Sequence, residues 1–186
     1  TDSKKIQSTV NKYGNYCWFL RKKKLARDNT PKKLALIDLL KKSESRFKKK
    51  FDIIVDLDLS SPLRKKIDLK NSLNQFIRNK NDLLVSANSS YRNPYFNMVQ
   101  KKNNRLKFVK KSSKIFFARQ QAPKVFDLNA SINIRTRKTL LDIKNLKMKF
   151  TNKSDIFIMS KNKSIDIESK FELKLVEKII DDKSKK

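Results

Sequence analysis

Phe51-Asp52-Ile53-Ile54-Val55-Asp56-Leu57-Asp58-Leu59-Ser60-Ser61-Pro62 is the stretch on which the fold turns. Read as a strand, it places Asp52, Asp56 and Asp58 on one face, because side chains alternate along an extended chain. Carboxylates at a strand end can hold Mg2+ for phosphoryl chemistry, so one reading is a Mg2+-dependent nuclease. The preferred reading is a connector between two helices, whose acids offset the lysines around it.

Helical patterns flank this stretch. Thr30-Pro31 pairs a capping residue with proline at the first helical position. Leu34, Ile37, Leu40, Phe47 and Phe51 then recur at helical spacing and predict an amphipathic helix over about residues 31–50. Downstream, Ser61-Pro62 starts a second pattern through Leu63, Ile67, Leu69, Leu73, Phe76 and Ile77, ending near residue 78. Residues 79–114 show turn chemistry instead of periodicity, with Asn79, Asn81, Asn88, Ser89, Ser90, Asn93 and Pro94. Further on, Ile132/Ile134, Ile156/Ile158 and Ile165/Ile167 alternate, and Ser160-Lys161-Asn162-Lys163 between the last two pairs reads as a hairpin loop. Leu175, Val176, Ile179 and Ile180 return to helical spacing, although Phe171, Leu173 and Leu175 also fit a strand. The expected fold class is mainly α in the N-terminal half with long irregular segments, then a mixed α/β or β-hairpin-containing C-terminal extension. Three parts are expected: a basic and aromatic arm (1–29), a small helical RNA-binding region with an extended basic segment (30–116), and an extension (117–186).

Charge dominates the functional reading. Across 186 residues, 47 Lys and Arg face 18 Asp and Glu, a formal net charge of +29. Such a chain repels itself and calls for a polyanion. Lys, Asn, Ile and Phe are abundant and Gly, Ala and Pro scarce, which points to an AT-rich coding genome and makes some of the lysine mutational. With one glycine, Gly14, there is no phosphate-cradling glycine loop. A single cysteine, Cys17, and no histidine exclude a disulfide, a Cys-based zinc site and a histidine base. No cofactor and no metal are expected, and no apolar run is long enough to span a bilayer. Thr1, not Met, at the start points to a processed or trimmed chain.

Aromatics interleaved with cations suit nucleic acid, the rings stacking on bases while the cations hold phosphates. The RNA-contacting set read from this pattern is Trp18, Arg21, Lys22, Lys23, Lys24, Arg27, Lys32, Lys33, Arg64, Arg78, Tyr91, Arg92, Tyr95, Lys101, Lys102, Arg105, Lys107, Lys110, Lys111, Arg119, Arg135 and Arg137.

The order of three segments resembles a family. Leu25-Ala26-Arg27-Asp28 leads into a basic helix. Asp58-Leu59-Ser60-Ser61-Pro62-Leu63-Arg64-Lys65-Lys66 leads into Leu69 to Asn79. Arg105-Leu106-Lys107-Phe108-Val109-Lys110-Lys111-Ser112-Ser113 follows. Over about residues 14–116 this is similar to the fourteenth ribosomal protein of the small subunit, in its organellar, zinc-free form. The chain departs from that family at 81–92, where the central Arg-rich signatures are missing, and at Phe108 and Ile115, which replace the tail's Gly and Trp. The resemblance implies a structural rRNA binder, with Arg27, Arg64, Arg78, Arg105, Lys110 and Lys111 on rRNA. The resulting expectation is a non-enzymatic structural constituent of the small subunit of a mitochondrial ribosome, binding rRNA through phosphate contacts in the matrix beside other ribosomal proteins, with no small-molecule substrate; a plastid is the alternative organelle. The alternative is an accessory subunit of a large organellar membrane complex, docked on anionic lipid by its cationic surface.

Overall fold

In the computed structural model, residues 1–14 and 16–184 are described. The deciding stretch is a strand, not a connector: β1 occupies Ile53–Leu57. It belongs to a four-stranded sheet of order β1-β5-β2-β6, where β2 is Leu83–Ser89, β5 Phe126–Thr136 and β6 Ser154–Ile158. β2 and β6 run parallel, with Leu83 opposite Ser154 and Ala87 opposite Ile158. β5 runs against β2: the Ser90 N–H reaches the Val125 carbonyl at 3.2 Å, and the Ser86 hydroxyl reaches Asn129 Oδ1 at 2.5 Å. The protein is thus a mixed α/β fold, which overturns the mainly helical N-terminal half.

The physical reason lies in β2. Leu83 to Asn88 are all buried, because the strand has a neighbour on either side and both of its faces are covered. A strand buried on both faces loses polar–apolar alternation, so the stretch 79–114 showed no period to read. The same stretch also holds an exposed antiparallel ribbon, β3 (Val99–Lys102) with β4 (Arg105–Phe108). Its turn is Asn103-Asn104, with φ of 50° and 57°. Two successive left-handed residues make the turn that matches strand twist, and asparagine tolerates it where glycine is scarce.

The helices are α1 (Lys4–Lys12), α2 (Lys32–Phe47), α3 (Lys66–Arg78), the short α4 (Arg137–Leu141) and α5 (Lys170–Ser184). Pro31 takes the cap position of α2, and the Thr30 hydroxyl turns away to donate to the Lys24 carbonyl at 3.0 Å. Asp68 caps α3, its Oδ2 accepting from the Lys65 N–H at 2.8 Å. There is no hairpin at 160–163: β6 is followed by a 3-10 turn, Lys161–Lys163, and β6 pairs with β2 instead.

The chain divides into two compact units. The first comprises Thr1–Ile54 and Arg135–Lys153. Its core is Ile37, Leu40 and the fully buried Leu140, flanked by Leu36, Ile54 and Leu141. Here Arg137 holds Glu44 through Nε at 2.6 Å and Nη2 at 3.0 Å. The second unit comprises Val55–Ile134 and Ser154–Lys186, of which Lys185 and Lys186 lie outside the described residues. In it α3 turns Asp68, Ser72 and Phe76 inward, a stripe at spacing four. Gln75 Nε2 ties α3 to β6, reaching Asp155 Oδ2 at 2.8 Å and the Ile156 carbonyl at 3.0 Å. Burial raises the Asp155 pKa, but hydrogen bonds from Gln75, the Ile156 N–H and Asn79 outweigh it and hold the carboxyl below its ordinary value.

Candidate functional site

The second unit gathers its polar chemistry where the parallel strands end. Open α/β sheets place ligands beyond the carboxyl ends of their strands. Past β2, Asn93 is buried and organises the loop: its Nδ2 donates to the Pro123 carbonyl at 2.9 Å, its Oδ1 accepts from the Tyr95 N–H at 2.9 Å, and its own N–H donates to Asn97 Oδ1 at 2.6 Å. That loop carries Tyr91 and Arg92. Past β6, Lys161 sets its Nζ 3.7 Å from the centre of the Tyr91 ring. Arg119 stands 5.8 Å from the same ring and donates to the Tyr91 carbonyl at 3.2 Å. Tyr91 therefore holds two cations at one rim.

Past β1, the Ser60-Ser61-Pro62 turn is held from within. Arg64 Nη1 donates to the Asp58 carbonyl at 2.7 Å and to the Ser61 carbonyl at 2.6 Å. The Ile167 N–H donates to the Ser60 carbonyl at 2.8 Å, which joins this turn to the segment Ser164–Glu168. Lys163 reaches Asp68 Oδ1 at 2.8 Å. Two atoms along this seam, Ser61 Oγ and Asp166 Oδ1, are buried without a hydrogen-bond partner among the described residues.

A second polar group sits on β5. Ala130 has φ +52°, a left-handed residue inside a strand and hence a bulge. The burial pattern shifts phase after it: Asn129 and Ser131 are buried on either side of the exposed Ala130, then Ile132 and Ile134. The bulge thus lets polar residues and apolar ones from one strand face the interior. Ser86 Oγ accepts from the Ile132 N–H at 2.8 Å. Asn129 Nδ2 and Ser131 Oγ are buried with no partner among the described residues. Orphaned polar atoms of this kind cost about 1–3 kcal/mol each unless water or a bound polar group satisfies them, which makes these four candidates for ligand contact.

The cations singled out in the sequence are scattered between the units. In the second unit, Arg64, Tyr91, Arg92 and Arg119 lie at the strand-end loops, and Arg78 donates to Asn79 Oδ1 at 3.4 Å. Tyr95 packs edge-on to Phe116 with ring centres 6.3 Å apart. Lys101, Lys102, Arg105 and Lys107 line the exposed ribbon, and Lys110 and Lys111 follow it. In the first unit, Trp18 lies under Arg46 at 4.8 Å and Arg21 pairs with Asp2 at 3.1 Å. Lys33 caps the end of α4 through the Asp142 and Asn145 carbonyls at 2.7 and 2.8 Å. Lys22, Lys23, Lys24, Arg27 and Lys32 are exposed, Arg135 is half-buried and Arg137 is committed to Glu44. Sequence reasoning missed Ser61, Ser86, Asn129, Ser131, Lys161 and Asp166. Ser61 and Lys161 entered the sequence reading only as a helix start and a loop residue, and Asp166 only as the position between Ile165 and Ile167. Asp52 and Asp56 do not form a metal centre with Asp58: among the described residues no cluster of three His, Cys, Asp or Glu could hold an ion.

The architecture is similar to that of a solved sugar-nucleotide synthetase. A solved structure of CMP:2-keto-3-deoxy-manno-octonic acid synthetase complexed with CTP superposes with a TM-score of 0.64 at 10% identity, covering 98% of this chain and 79% of that one. No protein-family model matches the chain. Two curated bacterial proteins do. "CMP-N,N'-diacetyllegionaminic acid synthase" of Campylobacter jejuni is 40% identical over 180 residues, 97% of this chain and 74% of that protein. "Post-translational flagellin modification protein B" of Campylobacter coli is 38% identical over 184 residues, 99% of this chain and 76% of that protein. The chain belongs to the family of these two proteins.

This membership overturns the ribosomal resemblance, and with it the structural, non-enzymatic role, the rRNA and ribosomal-protein partners and the exclusion of a small-molecule substrate. Bacterial relatives likewise overturn the mitochondrial location. The membrane-complex and nuclease alternatives give way to the same relatives; no described helix is long and apolar enough to cross a membrane. The physical reason for the error is plain in the structure. Two of the three segments that carried the resemblance are a strand-to-helix turn held by Arg64 and one edge of the β3–β4 ribbon. Lysine density made both look like RNA-binding segments.

Proposed function

We propose that this chain catalyses cytidylyl transfer, joining CMP from CTP to a sialic-acid-like sugar acid. The observation that carries this reading is the 40% identity to a protein named for that product type, spread over 97% of the chain. In the reaction a sugar hydroxyl oxygen attacks the α-phosphorus of CTP. The bond from that phosphorus to the bridging oxygen breaks, diphosphate leaves, and the hydroxyl proton passes to a base or to solvent. With no histidine in the sequence, the acceptor is a carboxylate or water.

The chain's own groups support parts of this chemistry. Lys161, Arg119 and Arg92 at the strand ends supply positive charge for phosphate oxygens. Tyr91 presents an aromatic face that already holds two of these cations. Asn129 Nδ2 and the Ser131 and Ser61 hydroxyls provide buried donors for a polar sugar or base. Mg2+ arriving with the nucleotide typically uses only one or two protein carboxylates plus substrate phosphates. The orphaned Oδ1 of Asp166 fits that limited demand, and the ion would neutralise charge on the phosphates.

The test is product formation from CTP, Mg2+ and N,N'-diacetyllegionaminic acid, followed by chromatography of the CMP-sugar and by diphosphate release. The parent protein should form product, and Asp166→Asn should cut the rate by about a hundredfold or more with an unchanged circular dichroism spectrum. Absence of both product and diphosphate, with N-acetylneuraminic acid tried as well, would refute the reading.

A further inference from the structure

The first unit holds a basic bowl that the proposed chemistry does not use. It is an open depression of about 460 Å³ lined by Lys41, Glu44, Ser45, Lys48, Lys49, Lys50 and Arg137. That volume falls within the range of small-molecule sites, about 300–1,000 Å³. Five cations face one acid. The acid is already spent: Glu44 takes both nitrogens of the Arg137 fork and accepts from the Phe51 N–H at 3.3 Å. Arg137 holds its carboxyl at about 2, so it stays ionised and bound to that partner. Lys50 stands 4.0 Å from the same carboxylate and is mostly exposed. Lys41, Lys48 and Lys49 have no ion pair among the described residues.

Backbone geometry crowds these charges together. Lys48 ends α2 in the left-handed conformation, φ 53° and ψ 34°. Glycine is the usual residue there because a Cβ is penalised. The turn brings Lys48, Lys49 and Lys50 around the bowl with Lys41, one and a half to two turns back along α2. Cations near a helix C-terminus are favoured by its dipole, but that benefit does not need a strained lysine or a concave cluster of like charges.

We propose that this bowl binds a multivalent phosphate anion, such as a free polyphosphate or the phosphate tail of a nucleotide. The inference stands on the first unit alone and does not depend on the cytidylyl-transfer reading. The cations converge on one depression, which suits a compact anion, and the bidentate Arg137–Glu44 pair lines one side of it. The unpaired lysines give the anion charge-assisted partners.

The probe is inorganic triphosphate, titrated calorimetrically into the whole protein at low and at physiological ionic strength. The test variant is Lys48→Gly combined with Lys49→Gln. Glycine suits the left-handed position, so the melting temperature should stay or rise, while triphosphate binding should weaken by about 25-fold, roughly fivefold per charge removed. Binding should also weaken with salt. Equal binding by parent and variant would overturn the proposal, as would an absence of binding in the parent at about 10 mM ligand. Loss of binding in Lys161→Gln but not in the lysine-pair variant would assign the anion to the second unit, overturning this proposal while leaving the catalytic reading intact. Repeating the titration with CTP separates the sources: a nucleotide tail binds in competition with triphosphate and loses the same affinity in the lysine variant.

Discussion

Replacing Arg64 by alanine separates two roles that look alike in the sequence, anion contact and loop support. The structure assigns both hydrogens of Nη1 to main-chain carbonyls, Asp58 at 2.7 Å and Ser61 at 2.6 Å. Hydrogen bonds to a charged group are worth about 1.5–3 kcal/mol each. The side chain is half-buried and both bonds share one donor nitrogen, so the lower end applies and the pair does not simply double. A loss of about 2–3 kcal/mol follows, because the alanine variant also leaves two carbonyls short of a partner. With a urea slope near 2 kcal/mol/M, the unfolding midpoint should fall by about 1–1.5 M. The Ser60–Ser61 turn should loosen, raising KM for CTP along with the loss of stability. Arg64→Lys should recover part of the stability, since one ammonium can serve one carbonyl but lacks the planar fork. The reasoning fails if Arg64→Ala lies within about 0.5 kcal/mol of the parent. It fails equally if CTP affinity collapses with unchanged stability, because the guanidinium would then be spent on ligand and not on the turn.

Other expectations follow from single features. Leu140→Ala empties the centre of the Ile37–Leu40–Leu140 core and should cost about 3 kcal/mol, with some 6–12 °C in melting temperature by calorimetry. Glu44→Gln tests the Arg137 pair: the Glu44 pKa is depressed from 4.5 to about 2, so its stabilisation is complete above about pH 4.5 and is lost as pH falls through about 2. The parent's advantage over Glu44→Gln in acid unfolding should shrink across that window; an advantage constant down to pH 2 would refute the assignment. Ala130→Gly relieves a left-handed alanine on an exposed position and should stabilise by up to about 1 kcal/mol in chemical denaturation. A destabilisation there would mean that the alanine methyl, not the bulge, matters.

Helices α2 and α3 were legible because each presents one apolar stripe to one core, and a stripe at spacing three and four survives in the sequence. The sheet was not. β1 reads as an apolar connector with acids, and its strand character comes from pairing with β5, nearly seventy residues downstream. β6 shows alternation, which suggested a hairpin with the next isoleucine pair, but its partner is β2. The Asn103-Asn104 turn was hidden by the search for glycine. Among the site residues, charge drew attention to Arg64, Arg92 and Arg119 and passed over Ser61, Ser86, Asn129 and Ser131, which carry no charge and owe their interest to burial.

By itself, the sequence determined the amphipathic helices α2 and α3, the absence of histidine and thiol-pair chemistry, and the net charge of +29. These are sums over composition or patterns within one turn of chain, so they need no knowledge of partners. Only the tertiary structure decided that lysines spread along the chain cover an α/β fold, because net charge is the same wherever the charges lie. It also decided which serines and asparagines lack partners, since an orphaned donor is defined by what the rest of the fold fails to bring near it.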